Sequence, residues 1–464
     1  MIADLKPYPA YRHAEGGWIG EIPSHWHVSR MKYVVWETDS RSTGGREQLL
    51  RVSQYTGVTQ RRREDGVDAP DTRAESLVGY KVVEPYDLVI NIMLAWNGSM
   101  GVSRYAGIAS PAYCTYRFGK ESSPWYFHHL LRSPTYKSRI KTVSTGVVES
   151  RLRLYSDELF RIEALVPPPS EQAAIVHFLD WANGRLERAI QAKRKVIALL
   201  NEQKQAIIHR AVTRGLDPNV PLKPSSVPWL GEIPRHWEVI RSKYIYREVD
   251  SRSANGGETH LSMSQKLGLI PSSQIEEKRL VSETYVGAKL CEKGDLVLNR
   301  LKAHLGVFAL APQRGLVSPD YTVLRPIRTL EDRFFEAVYR TPACRVELRQ
   351  RAKGIVQGFW RLYTDDFYDI RVPVPPVDEQ RRIMARIDGD LTGVLTAIFR
   401  LEREIALLRE YRTRLVADVV TGKLDVREAA VGLPEDSGAS APSDLSDESD
   451  VSDETEPQTE DLEP

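Results

Sequence analysis

The sequence lacks several features that would assign it to a class at once. None of its 464 residues lies in an apolar run of about 18, the length that spans a bilayer, and its beginning lacks the apolar stretch of a signal peptide. The chain has only three cysteines, Cys114, Cys291 and Cys344, and they form no CxxC pair or disulfide framework. We therefore expect a cytoplasmic protein without membrane segments, whose cysteines are small buried hydrophobic residues.

The common catalytic motifs are also missing. The sequence has no G-x-x-x-x-G-K-[ST] phosphate loop, no G-x-G-x-x-G after a strand, no H-E-x-x-H, no G-x-S-x-G and no Asn/Asp-Pro-Pro-Tyr. His25 and His27, and likewise His128 and His129, are close pairs without a third ligand at a suitable spacing, so we interpret them as structural. Together these absences favour a binding protein over an enzyme.

The formal net charge of +1 conceals two regions of opposite sign. Twelve of the 63 acidic residues lie in 434–464, a stretch without Lys or Arg. The remainder therefore carries 64 basic and 51 acidic residues, a net charge of +13. A basic body indicates a polyanionic partner, whereas the tail has too few apolar residues for a core and is predicted to be disordered.

An internal repeat organises the chain. The segment from Trp18 to Ser42 and the segment from Trp229 to Ser253 share 16 of 25 residues at an offset of 211. After Gln54 and Gln265 the offset becomes 208, and it relates Glu171-Gln172 to Glu379-Gln380. The chain therefore contains two copies of a unit of about 200 residues, and the sequences of the copies diverge strongly between the shared stretches.

Each copy has two parts. Short β-rich runs with Gly, Pro and Ser turns, such as Gly294-Asp-Leu-Val-Leu-Asn, predict a mixed α/β (α+β) globular domain. A long helix follows, for which Ser170 offers an N-cap after Pro167-Pro168-Pro169. The predicted boundaries are 1–166 for the first globular domain, 167–217 for the central helix, 218–374 for the second domain, 375–428 for the C-terminal helix and 429–464 for the tail.

Apolar residues in both helices recur with the spacing of a coiled coil. The seam of the second helix is Leu391, Val394, Ile398, Leu401, Ile405, Leu408, Leu415 and Val419, with Arg412 in the one missing position. The seam of the first is Leu179, Ala182, Leu186, Ala189, Val196, Leu200 and Ile207. We expect the two helices to pack as an antiparallel coiled coil with the globular domains at opposite ends; other packings remain open.

Basic, amide and aromatic residues in turn-rich segments are candidates for DNA contact. Arg and Lys neutralise phosphates and can form paired hydrogen bonds with guanine, and Asn and Gln can do so with adenine. The candidates in the first copy are Arg46, Arg51, Gln54, Arg61, Arg62, Arg63, Asn97, Arg104 and Arg151. Those in the second are Lys266, Arg300, Lys302, His304, Arg314, Lys353 and Gln357. A position that carries the same residue in both copies, such as Asn91 and Asn299, is more often part of the structural framework than a residue that contacts DNA bases.

These motifs resemble the specificity (S) subunits of bacterial type I restriction-modification systems over about 1–428. Three kinds of motif show this resemblance. Each copy opens with a similar motif, Trp18-Ile-Gly-Glu-Ile-Pro and Trp229-Leu-Gly-Glu-Ile-Pro, and each long helix starts with another, Pro167-Pro-Pro-Ser-Glu-Gln and Pro375-Pro-Val-Asp-Glu-Gln. The third is the ending Thr421-Gly-Lys-Leu-Asp-Val-Arg. The acidic tail lies outside the family pattern.

The resemblance implies that each globular part is a target recognition domain that reads one half of a bipartite DNA sequence, and that the coiled coil sets the gap. It implies a non-catalytic chain that binds no cofactor and assembles with methyltransferase subunits, two in number, and with restriction subunits. Those partners would use S-adenosylmethionine, ATP and Mg²⁺ to methylate adenine and to cleave DNA. Two other hypotheses stay open: a self-contained methyltransferase or nuclease, and a repeat scaffold that binds only proteins.

Overall fold

The computed structural model describes residues 5–14, 17–61, 76–146, 152–264, 267–274, 285–354 and 360–434. The chain divides into two compact units: unit 1 is Met1–Ala192 with Glu404–Pro464, and unit 2 is Lys193–Arg403. Each unit therefore contains one sequence copy's globular part together with a portion of both long helices. The predicted mixed α/β class with two long helices is confirmed.

The globular part of unit 1 is built from short strands and three short helices within the described residues. Its strands are β1 (Tyr11–His13), β2 (Glu21–Pro23), β3 (His27–Arg30), β4 (Val35–Thr38), β5 (Leu50–Ser53), β6 (Gly57–Gln60), β7 (Lys81–Val83), β8 (Leu88–Asn91), β9 (Met100–Val102), β10 (Gly107–Ala109), β11 (Tyr113–Phe118) and β12 (Glu163–Val166). Its short helices are α1 (Pro124–Leu131), α2 (Pro134–Val143) and α3 (Ser156–Arg161).

An antiparallel four-stranded sheet in the order β4-β11-β8-β9 forms the centre of this part. Two-stranded pairs surround it: β5 with β6, β7 with β10, β3 with β12 and β1 with β2. All four residues of β8 are buried, as its continuous run Leu88-Val-Ile-Asn predicts for a strand with packing on both faces. The main core collects Trp26, Tyr126 and Phe127 with Phe178 of the first long helix.

Unit 2 repeats this topology. Its strands are β13 (Leu222–Pro224), β14 (Glu232–Pro234), β15 (Glu238–Arg241), β16 (Tyr246–Val249), β17 (Leu261–Ser264), β18 (Gly268–Pro271), β19 (Lys289–Cys291), β20 (Leu296–Asn299), β21 (Phe308–Leu310), β22 (Gly315–Val317), β23 (Tyr321–Pro326) and β24 (Arg371–Val374). Its short helices are α5 (Asp332–Arg340), α6 (Pro342–Arg351) and α7 (Thr364–Tyr368). The four-stranded order β16-β23-β20-β21 is the equivalent of the sheet in unit 1.

The long helices are α4 (Pro169–Arg214) and α8 (Val377–Val420). Ser170 is not the N-cap of α4, because the helix already begins at Pro169 and the Pro168 carbonyl accepts hydrogen bonds from the Glu171 and Gln172 amides. Proline suits the first helical position, since its ring presets the helical φ and the N–H that it lacks would have no partner there.

The repeated Glu-Gln pair at the helix starts has a structural role. The Gln172 amide donates to the Pro167 carbonyl at 2.9 Å and accepts from the backbone N–H of Ser123, the N-cap of α1, at 2.7 Å. Gln380 makes the same two bonds, to the Pro375 carbonyl and from the N-cap of α5, Glu331. The glutamine thus fixes the start of a long helix to the start of a short one in both units.

Burial along the long helices tests the predicted seams. All eight apolar seam residues of α8, from Leu391 to Val419, are buried or half-buried. In unit 1, the core takes in the beginning of α4 and the end of α8, and Arg412 pairs with Glu187 at 3.2 Å, so these two portions run antiparallel. The assignment of Val196 to the first seam is wrong: its side chain is 44% exposed, and the neighbouring Ile197 is half-buried instead.

The C-terminal boundary also differs from the prediction. After α8 the chain forms the short helix α9 (Arg427–Val431), and Val426, Ala430 and Leu433 are buried in the core of unit 1. Residues 429–434, assigned to the tail, therefore belong to the folded unit, because a few apolar side chains there reach the core. Residues 435–464 lie outside the described residues.

The cysteines are free thiols, as predicted: Cys291 and Cys344 are buried and Cys114 is half-buried. Burial raises the pKa of all three thiols, that of Cys291 to about 11. His25 binds the Glu171 carboxylate, and Nδ1 of His128 accepts a hydrogen bond from the Val102 amide at 3.1 Å. In these described contacts the histidines have a structural role.

Candidate nucleic-acid interface

The structure places most, but not all, of the residues predicted to contact DNA. Arg62, Arg63, Arg151, Lys266 and Gln357 lie outside the described residues, and for His304 only the backbone is described. The remaining candidates fall on the β5–β6 hairpin and in the segments between strands and helices. Their roles in DNA contact stay predictions.

The β5–β6 hairpin carries three of the candidates. Leu50, Val52 and Val58 are buried, as alternate residues of a strand with one packed face should be. Arg51 lies between the two buried residues of β5, is exposed and stands opposite Thr59. Gln54 is exposed in the turn, and Arg61 is half-buried just after β6. These polar residues share the solvent side and the tip of the hairpin.

Arg46 lies in a tight loop that both units possess. The Ser42 hydroxyl accepts from the Gly45 amide at 2.8 Å and donates to the Glu47 carboxylate, which lowers the pKa of Glu47. Gly45 has a φ of +62°, and a Cβ there would lie 2.8 Å from backbone atoms, so this position requires glycine. Ser253, Gly256 and Glu258 form the same loop in unit 2, where Gly257 stands in place of exposed Arg46.

The loop after β8 is shaped by asparagines. Oδ1 of Asn91, which is 5% exposed, accepts from the Met93 amide, and Oδ1 of Asn97 accepts from both the amide and the hydroxyl of Ser99. In unit 2, Asn299 accepts from the amides of Leu301 and Lys302. These side chains hold the turns, and Lys302 lies exposed on the turn that Asn299 forms.

Four further cationic candidates, Arg104, Arg300, Arg314 and Lys353, also have local partners. The Arg104 guanidinium lies 4.2 Å from the centroid of the Trp125 ring. Arg300 binds Glu248 at 3.0 Å and the Thr322 hydroxyl at 2.6 Å, Arg314 binds Glu292 at 2.8 Å, and Lys353 binds Asp366 at 2.8 Å. A phosphate would have to compete with these partners, so their effective positive charge is reduced.

The described residues offer neither a metal site nor a membrane span. No group of three His, Cys, Asp or Glu side chains in that part of the chain could hold a metal ion. No helix of the described residues is long and apolar enough to cross a membrane.

Comparison with known proteins gives a consistent result. The chain is 23% identical over 447 residues to the putative type I restriction enzyme MjaX specificity subunit of Methanocaldococcus jannaschii, covering 88% of this chain and 96% of that one. It is 19% identical to the type I restriction enzyme EcoKI specificity subunit of Escherichia coli K12, over 74% of this chain and 75% of that one. No family model matches.

A solved structure from work on complex assembly and conformational transition of the type I R-M system has the same fold. It superposes with a TM-score of 0.58 at 16% identity, over 87% of this chain and 99% of that chain. The chain is similar over most of its length to type I restriction enzyme specificity subunits. The sequence resemblance is therefore confirmed. The relatives are specificity subunits, which agrees with the prediction of a specificity subunit and not of a self-contained enzyme.

Unit 1 also has a supporting residue that the sequence analysis missed. The Arg132 guanidinium, at the end of α1, donates to five backbone carbonyls, those of Ser53, Gln54, Tyr55, Gly98 and Met100. Burial lowers the pKa of Arg132 to about 10. The available signal was the repetition of Arg132 at Arg340, each followed by Ser or Thr and then Pro.

Proposed function

We propose that this chain is a specificity subunit that binds double-stranded DNA, and that each unit reads one half of a bipartite target. The proposal rests mainly on one observation: the two units share their framework residues but carry different side chains at equivalent positions of the loops and hairpins. Three equivalent positions carry Arg in unit 1 and a small residue in unit 2: Arg46 and Gly257, Arg51 and Ser262, Arg61 and Ser272. Different side chains on one frame are what two different half-sites require.

The charge of the chain supports a polyanionic partner. Residues 1–433 carry a net charge of +13, which favours the release of counterions from DNA on binding. Phosphate contacts would position each unit, and contacts to base edges would give sequence specificity.

We also propose that two methyltransferase subunits bind, one for each unit, and that restriction subunits join them. A surface repeated in both units supports this pairing. The Lys32 ammonium lies 4.7 Å from the centroid of Tyr33, which is 72% exposed, and Lys243 lies 5.0 Å from the centroid of Tyr244, which is 57% exposed. An exposed aromatic residue kept in both copies suits two molecules of one partner. S-adenosylmethionine, ATP and Mg²⁺ would be used by the partners, not by this chain.

The long helices are proposed to set the gap between the half-sites. Seven residues inserted into α4 after Ala189 and seven into α8 after Leu408 preserve the seam and lengthen the pair by about 10 Å, or roughly three base pairs. We expect the preferred gap to change by that amount in a methylation assay. A control that substitutes residues next to the two insertion points, without any insertion, should keep the gap. An unchanged gap in the lengthened variant would reject this role.

Binding by the assembled complex tests the proposed function. We expect the complex of this chain with its methyltransferase partner to prefer one bipartite duplex, with an affinity that falls steeply as salt rises. Equal binding to every duplex would contradict sequence readout and favour a scaffold role. Transfer of labelled methyl groups by the purified chain alone would instead favour a self-contained enzyme.

A further inference from the structure

The β5–β6 hairpin of unit 1 has one buried face and one polar face. Leu50, Val52 and Val58 are at most 7% exposed and join a small core with Val83 and Val89. The other side presents exposed Arg51 opposite Thr59, and the tip presents Gln54 and Tyr55, whose ring is 64% exposed. The polar side and tip thus combine a cation, an amide, a hydroxyl and an aromatic ring on two adjacent strands.

Comparison with the equivalent β17–β18 hairpin separates two kinds of position. The inward residues stay apolar, since Leu261, Met263 and Leu269 replace Leu50, Val52 and Val58 with the same strand register. The residues of the other side differ: exposed Arg51 becomes Ser262, which is buried and bonds the Ser272 hydroxyl at 2.7 Å, and Thr59 becomes Ile270. Packing therefore preserves the frame of this hairpin in both units, whereas the residues of the other side change from one unit to the other.

Arg132 holds the hairpin tip in place. Its guanidinium donates to the carbonyls of Gln54 at 2.9 Å and Tyr55 at 3.0 Å in the tip, and to the carbonyl of Gly98 at 3.0 Å beside β9. Five backbone carbonyls accept its hydrogen bonds, counting those of Ser53 and Met100. Because every one of these acceptors is backbone, the bonds fix the position of the tip while its side chains stay available.

We propose that the β5–β6 hairpin of unit 1 is a two-stranded ribbon that enters the DNA major groove, with Arg51, Gln54 and Tyr55 as contact residues and Arg132 as the residue that positions the tip. This inference rests on the proposed function and narrows it to one element. The major groove is wide enough for a two-stranded ribbon, where Arg can bind guanine, Gln can bind adenine and an aromatic ring can contact a thymine methyl group. A reading element must be rigid, and Arg132 supplies that rigidity.

The test uses the complex of the full chain with its methyltransferase subunits and a set of duplexes, each changed at one base pair of the bipartite target. We expect Arg51→Ala and Gln54→Ala each to weaken binding of the target by about 10-fold and to remove the preference for particular bases in one half only. The matched control is Arg414→Ala on α8, which removes an arginine whose side chain is 75% exposed. It should keep every base preference.

Arg132→Lys tests the positioning role, because one ammonium cannot bond five separate carbonyls. We expect it to reduce base preference in the same half-site as Arg51→Ala, with little change in affinity for unrelated DNA. A purely structural role would lower the melting temperature and leave the base preferences of the folded fraction intact.

The outcomes separate this inference from the proposed function. If the unaltered complex shows no base preference, the proposed function fails. If it shows preference in both halves but Arg51→Ala and Gln54→Ala keep all of it, or lose it equally in both halves, the ribbon inference is overturned. If those two variants lose preference while Arg132→Lys keeps it, the positioning role of Arg132 is overturned.

Discussion

A single buried carboxylate anchors the start of the first long helix. The Glu171 side chain is 3% exposed and accepts hydrogen bonds from the Tyr8 hydroxyl at 2.5 Å, the Trp26 indole at 2.9 Å and the His25 ring at 2.8 Å. In unit 2, Glu379 has the His236 ring at 2.8 Å, and the indole N–H of Trp237 is buried without a partner among the described residues. The same motif is therefore bonded more fully in unit 1.

This difference predicts unequal effects of the same substitution. Glu171→Ala leaves two buried donors, the Tyr8 hydroxyl and the Trp26 indole, without their acceptor and should lower the free energy of unfolding by about 3 kcal/mol. Glu379→Ala should lower it by about 1 kcal/mol, because one partly exposed histidine loses its acceptor. Urea unfolding of the purified chain measures both values, and equal losses would contradict the account.

Asp332 predicts a pH dependence in unit 2. Burial, with Glu331 and Asp295 nearby, raises the pKa of this carboxyl from 3.8 to about 6. As pH rises from 4 to 6, the unfolded chain loses this proton before the folded chain does, so the contribution of Asp332 to stability falls and then stays constant.

Asp332→Asn removes this titration and should raise the melting temperature at pH 7.5 but change it little at pH 4. Asp378→Asn, whose side chain is 90% exposed at the start of α8, is the matched control and should have a small effect at both values. A gain from Asp332→Asn that is larger at pH 4 than at pH 7.5 would show that the sign is wrong.

The residue-level roles were only partly predictable from the sequence. Repetition identified Asn91 and Asn299 as framework, and both hold turns. Repetition at Arg340 marks Arg132 as a framework position, but its acceptors were not predictable, because they come from residues 53–55 and 98–100, which meet only in the folded chain. Whether a surface arginine finds a carboxylate, as Arg300 finds Glu248, also depends on tertiary contacts.

At the level of elements, periodicity predicted helix α8 better than helix α4. The α8 seam is correct at every apolar position because Leu, Ile and Val recur there with little interruption. In α4 the polar residues Lys193 and Gln203 interrupt the series, and two adjacent apolar residues, Val196 and Ile197, could each fill one position. The choice between them depends on the neighbouring helix surface, which the spacing alone does not specify.

Two nearby residues of α8 provide a test of the seam. Ile405 is 8% exposed on the seam, whereas Leu407 is 49% exposed beside it. Ile405→Ala should lower the free energy of unfolding by about 3 kcal/mol, and Leu407→Ala by less than about 1 kcal/mol. Equilibrium unfolding in urea compares them, and similar losses would place the seam elsewhere.

For the whole molecule, the repeat predicted two similar globular parts, and both have the same sheet orders. The segments of the chain that make up each unit were less predictable. Unit 1 combines the first globular part with residues from 404 onward, because the end of α8 and the segment around Val426 pack into its core. The Asp425 amide also bonds the Lys6 carbonyl at 2.8 Å, a contact between segments 419 residues apart in sequence.

In the proposed function, this chain directs adenine methylation by its partners to one bipartite DNA sequence. Methylated adenines mapped across the host genome, with and without the gene for this chain, test it most directly. We predict that deletion removes methylation from a single bipartite motif and that the unaltered gene restores it. Methylation that is unchanged at every motif after deletion would contradict the claim.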